Sequence, residues 1–110
     1  MQILRRERQL MKIAAGEIPD EYRKDIEKAI AILKRYGCTE IYIFGSLAKG
    51  NFSENSDIDF AVKGLKKGNF YKVGALLNME MEHNFDLIKL DHDDSFSKFI
   101  LEKEVFLRVA

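Results

Sequence analysis

Three short stretches carry residue types whose spacing suits phosphoryl chemistry: Gly45-Ser46, Asp57-Ile58-Asp59 and Asp86. On an extended strand, residues i and i+2 face the same way, about 6.5 Å apart along the chain. Asp57 and Asp59 therefore present two carboxylates to one small volume, while Ile58, Phe60 and Val62 turn the other way, into a core. Two like charges on an otherwise apolar strand are costly unless a cation neutralises them, and hard oxygen donors at this spacing suit Mg²⁺ or Mn²⁺. Asp86, on the face shared with Ile88 and Leu90, completes such a site if its strand pairs beside the second one. Three carboxylates can hold two ions, the arrangement that clamps the attacking and leaving oxygens of an in-line displacement.

Gly45 lets the backbone turn sharply and come close to a ligand, and Ser46 adds a hydroxyl at the start of the following turn. Exposed N–H groups at such a position favour a phosphate. Lys49, three residues on, either adds a point charge to a triphosphate or is an ordinary solvated lysine. Taken singly, a Gly-Ser dipeptide is usually a turn, and Asp-x-Asp is usually a solvated strand edge or a cap. Their combination between two strand-like segments, with a further strand aspartate, is far more specific.

These residues need elements to hold them. Pro19 suits the first position of a helix, in which Tyr22, Ile26, Ala29, Ile30 and Leu33 recur at the spacing of one buried face and Gly37 ends the run. Glu40 to Phe44 reads as a strand in the centre of a sheet, Leu47 to Gly50 as one helical turn, Asn51 to Ser56 as a polar loop and Asp57 to Lys63 as a second strand. Gly64 to Gly68 is a turn, and Asn69 is expected to cap a helix carrying Phe70, Val73, Leu77 and Met81, stopped at His83-Asn84. Phe85 to Leu90 is a third strand. Asp91 to Asp94 offer caps for a helix with Phe96, Phe99 and Ile100, and Val105 to Val109 forms a final edge strand. A short helix over residues 3 to 14 precedes all of this. The order predicts a small α/β (α+β) domain with a mixed sheet of three to four strands and helices mainly on one face.

Composition fits a single globular domain: of 110 residues, 46% are apolar and 33% charged. Eighteen basic and eighteen acidic side chains cancel, so the footprint of a general nucleic-acid binder is missing and no direct nucleic-acid binding is expected. A run of charges such as Arg5, Arg6, Arg8 and Lys12 is most often a solvated face, with contact to RNA or an acidic partner as the alternative. The only cysteine, Cys38, cannot form an internal disulfide and reads as a small buried side chain. His83 and His92 read as structural or solvated, and the aromatic group Phe96, Phe99 and Phe106 as core. No apolar run approaches the roughly 20 residues of a membrane span, and no signal-peptide pattern opens the chain. A cytoplasmic protein is the expectation.

Gly45-Ser46, ten residues, then Asp57-Ile58-Asp59 resembles the signature of the DNA polymerase β-like nucleotidyltransferase superfamily. The fuller strings Phe44 to Gly50 and Ser56 to Val62 are similar to its smallest branch, the minimal nucleotidyltransferases. The resemblance implies that fold, with the Gly-Ser helix facing a mixed sheet. It also implies transfer of NMP, AMP in the first instance, from an NTP such as ATP to an acceptor hydroxyl, with two Mg²⁺ or Mn²⁺ ions and release of pyrophosphate. Asp57 and Asp59 would then be metal ligands. Asp86 would bind the second metal and help deprotonate the acceptor, and Gly45 and Ser46 would hold the β- and γ-phosphates. Many such proteins pair with a helical HEPN-domain protein as antitoxin and toxin, the transferase adenylylating a tyrosine of its RNase partner. Lys49 departs from the arginine often found there, so a forked phosphate contact is reduced to a point charge. The stretch before Gly16 is longer than the motif requires, which divides the chain into an N-terminal helical extension, 1–16, and a nucleotidyltransferase domain, 17–110.

Two other functions use the same residues. One is nucleotidyl transfer to a small molecule such as an aminoglycoside, with a homodimer or a separate helical subunit supplying the missing lobe. The other is a non-catalytic module that binds nucleotide or partner and acts by contact alone, which the intact carboxylates argue against.

Overall fold

Pro19 leads into the first helix, α1 (Asp20–Arg35), in the computed structural model, which describes residues 18–50, 55–90, 102 and 106–110. Pro19 stands just outside the helix rather than at its first position: its ψ of 149° is extended, and its carbonyl accepts the N–H groups of Tyr22 and Arg23 at 3.0 and 3.1 Å. Acidic Asp20 and Glu21 in the first turn and basic Lys34 and Arg35 in the last suit the helix dipole. Gly37, at φ 98°, turns the chain out of the helix, with Gly37 N–H on the Lys34 carbonyl and Cys38 N–H on that of Leu33. This paired closure needs the left-handed backbone that glycine adopts without strain.

The strands are β1 (Glu40–Phe44), β2 (Ile58–Lys63), β3 (Phe85–Lys89) and β4 (Leu107–Arg108). Between β1 and β2 lies the single turn α2 (Ser46–Lys49), and between β2 and β3 a 3₁₀ turn, Lys67–Asn69, runs into α3 (Phe70–Glu80). Asn69 caps nothing with its side chain, because its backbone is already helical and its N–H is held by the Lys66 carbonyl. The sheet order is β3-β2-β1-β4, with β1 antiparallel to both neighbours and β2 parallel to β3. The sheet is thus mixed, β1 is central and β4 lies at an edge. The helices expected at 3–14 and after Asp91 to Asp94, with His92 and the basic N-terminal residues, lie outside the described residues. So does the division at residue 16.

Strand alternation sorts the side chains into two layers. Ile41, Ile43, Ile58, Phe60 and Val62 join α1 and α3 in the main core, with Phe85 and Leu87 packed against it. The opposite face carries a smaller cluster of Tyr42, Ala61, Leu90 and Phe106, flanked by Phe44 and Ile88. On α1 the buried face is centred nearer Ala29 than expected. Ile32 and Asp25 are buried, whereas Ile30, about 100° beyond Ala29 around the helix, is only half-buried. Among the described residues, no helix is long and apolar enough to cross a membrane.

Candidate active site

Asp59 lies on the face of β2 turned away from α1 and α3, between Phe44 of β1 and Asp86 of β3 in the strand register. Its neighbours Ile58 and Phe60 are fully buried on the other face, so burying those two side chains is what turns Asp59 outward. Asp59 and Asp86 are therefore direct partners on adjacent parallel strands, about 4.8 Å apart at the backbone. The pairing on which a shared site depended is present.

Asp57 stands one residue before β2, exposed at the strand's mouth. Asp57 and Asp86 both line a cavity of about 710 Å³, walled by Phe70, Tyr71, Gly74, Ala75 and Asn78 of α3 and by the start of β3. Among the described residues, no three His, Cys, Asp or Glu side chains gather into a ready metal-binding group. The aspartates form a strand pair with a third carboxylate at the cavity mouth rather than an assembled cluster.

Gly45 ends β1 at φ 77° and ψ −150°, a region open essentially to glycine alone. A Cβ there would overlap Asp59 Oδ2. The glycine is required twice, for the turn and for the approach of the carboxylate. Ser46, half-buried, begins α2, and the Lys49 N–H closes the turn on the Gly45 carbonyl at 3.1 Å. Lys49 is exposed at the last position of that turn. Gly45 thus abuts Asp59, with Ser46 the next residue in the chain, while Asp57 and Asp86 line the cavity.

A second polar group escaped the sequence reading. Asp25 of α1, a residue type expected to face solvent on an amphipathic helix, is 0% exposed. Its Oδ1 and Oδ2 accept the Glu82 N–H at 3.1 and 3.0 Å, and Oδ2 also accepts the His83 N–H at 2.8 Å and lies 2.7 Å from His83 Nδ1. Burial alone would raise this carboxyl, but the Glu82 N–H, the His83 side chain and N–H, and the attraction of His83 outweigh it and hold Asp25 below its ordinary value. The His83 ring stacks on Tyr22 with centroids 4.0 Å apart, and Tyr22 Oη donates to the Ser56 carbonyl at 3.2 Å. One signal was available: Asp25 follows Tyr22 by three residues and precedes Ala29 by four, inside the apolar stripe. His83 has the structural role its position suggested. Cys38 is buried, and burial pushes its thiol up to about 11, as expected of an inert side chain.

The family model for polymerase beta, nucleotidyltransferase, matches residues 27–108. No curated protein matches the sequence. Solved structures that share the fold include two toxin–antitoxin proteins. One is a toxin–antitoxin with AMP-PNP, 24% identical at a TM-score of 0.57, the alignment covering 73% of this chain and 69% of that one. The other is the toxin–antitoxin MntA-HpeT in a doubly substituted form, aspartates two positions apart each changed to glutamate. It is 22% identical at a TM-score of 0.55, with the same coverage.

Proposed function

The chain belongs to the polymerase beta nucleotidyltransferase family, and on that premise we propose that this nucleotidyltransferase moves AMP from ATP to an acceptor hydroxyl as the antitoxin of a two-protein pair. The observation that carries the reading is the register pair Asp59 and Asp86, flanked by the Gly45-Ser46 turn on one side and by the cavity that Asp57 and Asp86 line on the other. Residues 17–110 form the transferase unit, and 1–16 an extension to it.

Two adjacent carboxylates with a third nearby are hard oxygen donors of the kind Mg²⁺ and Mn²⁺ take, so Asp57, Asp59 and Asp86 are the residues that would hold such ions. When bound, magnesium polarises the phosphoryl oxygens and offsets their charge. The protein's own groups do the rest. Gly45, without a side chain, admits the β- and γ-phosphates to the backbone, Ser46 donates a hydroxyl hydrogen bond to them, and Lys49 adds a positive charge. The acceptor, seated in the cavity, loses its hydroxyl proton to Asp86. Its oxygen bonds to the α-phosphorus as the bond to the bridging oxygen breaks, and pyrophosphate leaves with that electron pair.

Support for the biological role comes from the two toxin–antitoxin structures of the same fold, one holding an ATP analogue. On the sequence resemblance to the minimal nucleotidyltransferases, and not on those structures, the acceptor is a hydroxyl on a helical HEPN-type toxin. A cavity of about 710 Å³ is also the size that small-molecule sites occupy, which keeps a small-molecule acceptor as the second reading. Labelled ATP with Mg²⁺, offered a candidate helical partner protein and a set of small hydroxylated acceptors, decides between them. Label on that protein supports the antitoxin reading; transfer only to a small hydroxylated acceptor supports the second. The absence of metal-dependent binding of any NTP at millimolar concentration overturns both.

A further inference from the structure

The two strands that carry the aspartates begin side by side, and both starts are tied to one buried carboxylate. Asp25 takes three backbone N–H contacts from Glu82 and His83, the turn that leads into β3 two residues before Phe85 and three before Asp86. It also holds the His83 ring, which stacks on Tyr22, whose hydroxyl donates to the carbonyl of Ser56, the residue before Asp57. The two starts meet directly where Ile58 N–H donates to the Asn84 carbonyl at 3.0 Å.

We infer that Asp25 is a positioning residue for the aspartate pair, acting through His83 and Tyr22 to hold the approaches to β2 and β3 at one depth so that Asp86 comes level with Asp59. The physical reason is the period of a strand: a slip of one residue turns every side chain to the opposite face. Such a slip in β3 would carry Asp86 into the apolar core beneath α1 and α3. Core packing of Phe85 and Leu87 resists that slip, but both are only half-buried, and β3 is paired to β2 alone among the described strands. Ordinary loop stabilisation would need neither the ring stack nor the bond to Ser56, which lies 34 residues from Tyr22 in sequence. The inference rests on the metal-carboxylate reading only for its consequence, not for its geometry.

The test uses the full chain and Mn²⁺ alone as probe, with Tyr22→Phe, Asp25→Asn and a control, Ile32→Val, which trims the same helix away from both strand starts. Tyr22→Phe keeps the ring on His83 and removes only the hydroxyl. Broadening of the Asp57, Asp59 and Asp86 amide signals measures Mn²⁺ affinity, and hydrogen exchange at the Ile58 amide measures the joint between the two starts. Residues that orient metal ligands typically change affinity by about tenfold or more when removed. Tyr22→Phe and Asp25→Asn are expected to weaken Mn²⁺ binding by that factor, and Ile32→Val to leave it within about twofold. Affinity in Tyr22→Phe equal to that of the control overturns the inference, and this variant decides alone should Asp25→Asn fail to fold. If the wild type shows no broadening at any aspartate, the metal reading fails by itself. Ile58 exchange then decides: faster in Tyr22→Phe than in the control upholds positioning, and equal rates overturn it.

Discussion

Gly45 and Asp59 are coupled by contact, and each predicts a separable loss. A side chain at Gly45 faces a backbone region that costs about 1–3 kcal/mol for other residues and overlaps Asp59 Oδ2. Gly45→Ala should therefore lower stability by an amount in that range, read by urea unfolding, and abolish transfer in the protein that remains folded. Asp59→Asn should do the reverse to the apo protein. It removes one of two like charges that stand level on adjacent strands, so stability should stay level or rise, by about 0.2–1 kcal/mol at most. With Mg²⁺ and a non-hydrolysable ATP analogue the order should invert, because a ligand at 100 times its Kd stabilises the folded state by about 2.7 kcal/mol and the variant forfeits that. Four melting midpoints, two proteins with EDTA or with ligand, test it. Equal gains in both proteins would sink the carboxylate site.

At the scale of elements, α1 is bound to the turn before β3 chiefly through Asp25, with Lys28 Nζ adding a bond to the Glu80 carbonyl at 3.3 Å. The carboxyl of Asp25 is held below its ordinary value of 3.8 in the folded protein. A depressed folded-state value means that its stabilisation is complete above the unfolded-state value and is lost as pH falls through the folded one. Asp25→Asn leaves donors poorly matched and should cost about 1–3 kcal/mol at pH 7. The gap between wild type and variant should hold down to about pH 4 and narrow in more acid solution. Urea midpoints from pH 7 to pH 3 measure this, and a gap that is constant throughout would show that the ionised carboxylate is not the stabilising form.

Across the whole molecule, charge balance and the position of the cavity bear on what it meets. The net charge of zero offers no general pull toward nucleic acid, so ATP binding should depend on divalent metal far more than on the chain's overall charge. Tyr71 on the cavity wall is 83% exposed, and Met79 on the same helix 76%. Tyr71, a large ring left in water on the wall of a candidate acceptor site, suits contact with a second protein. Tyr71→Glu should accordingly leave metal-dependent ATP binding unchanged in calorimetry while cutting label transfer to the partner protein at least tenfold (on the order of 1.4 kcal/mol). Unchanged transfer would place the partner elsewhere.

How much was legible in advance follows the range of each interaction. Strand β1, the α2 turn, the glycine stops and the two faces of β2 were readable, since each depends on neighbours within a few residues: alternation of period two, a glycine where φ must be positive, apolar runs between turn residues. The family resemblance was legible for the same reason, because Gly45-Ser46 and Asp57-Ile58-Asp59 lie close together in one stretch of chain. Local pattern does not say which strands are neighbours. That Asp86 stands level with Asp59 depends on β2 and β3 pairing in parallel across the α3 crossover, a contact 27 residues apart in sequence (86 − 59). That Asp25 belongs to the interior depends on donors 57 and 58 residues away. A lone aspartate on an amphipathic helix reads as solvated because burying its charge is costly without partners, and those partners exist only once the chain has folded.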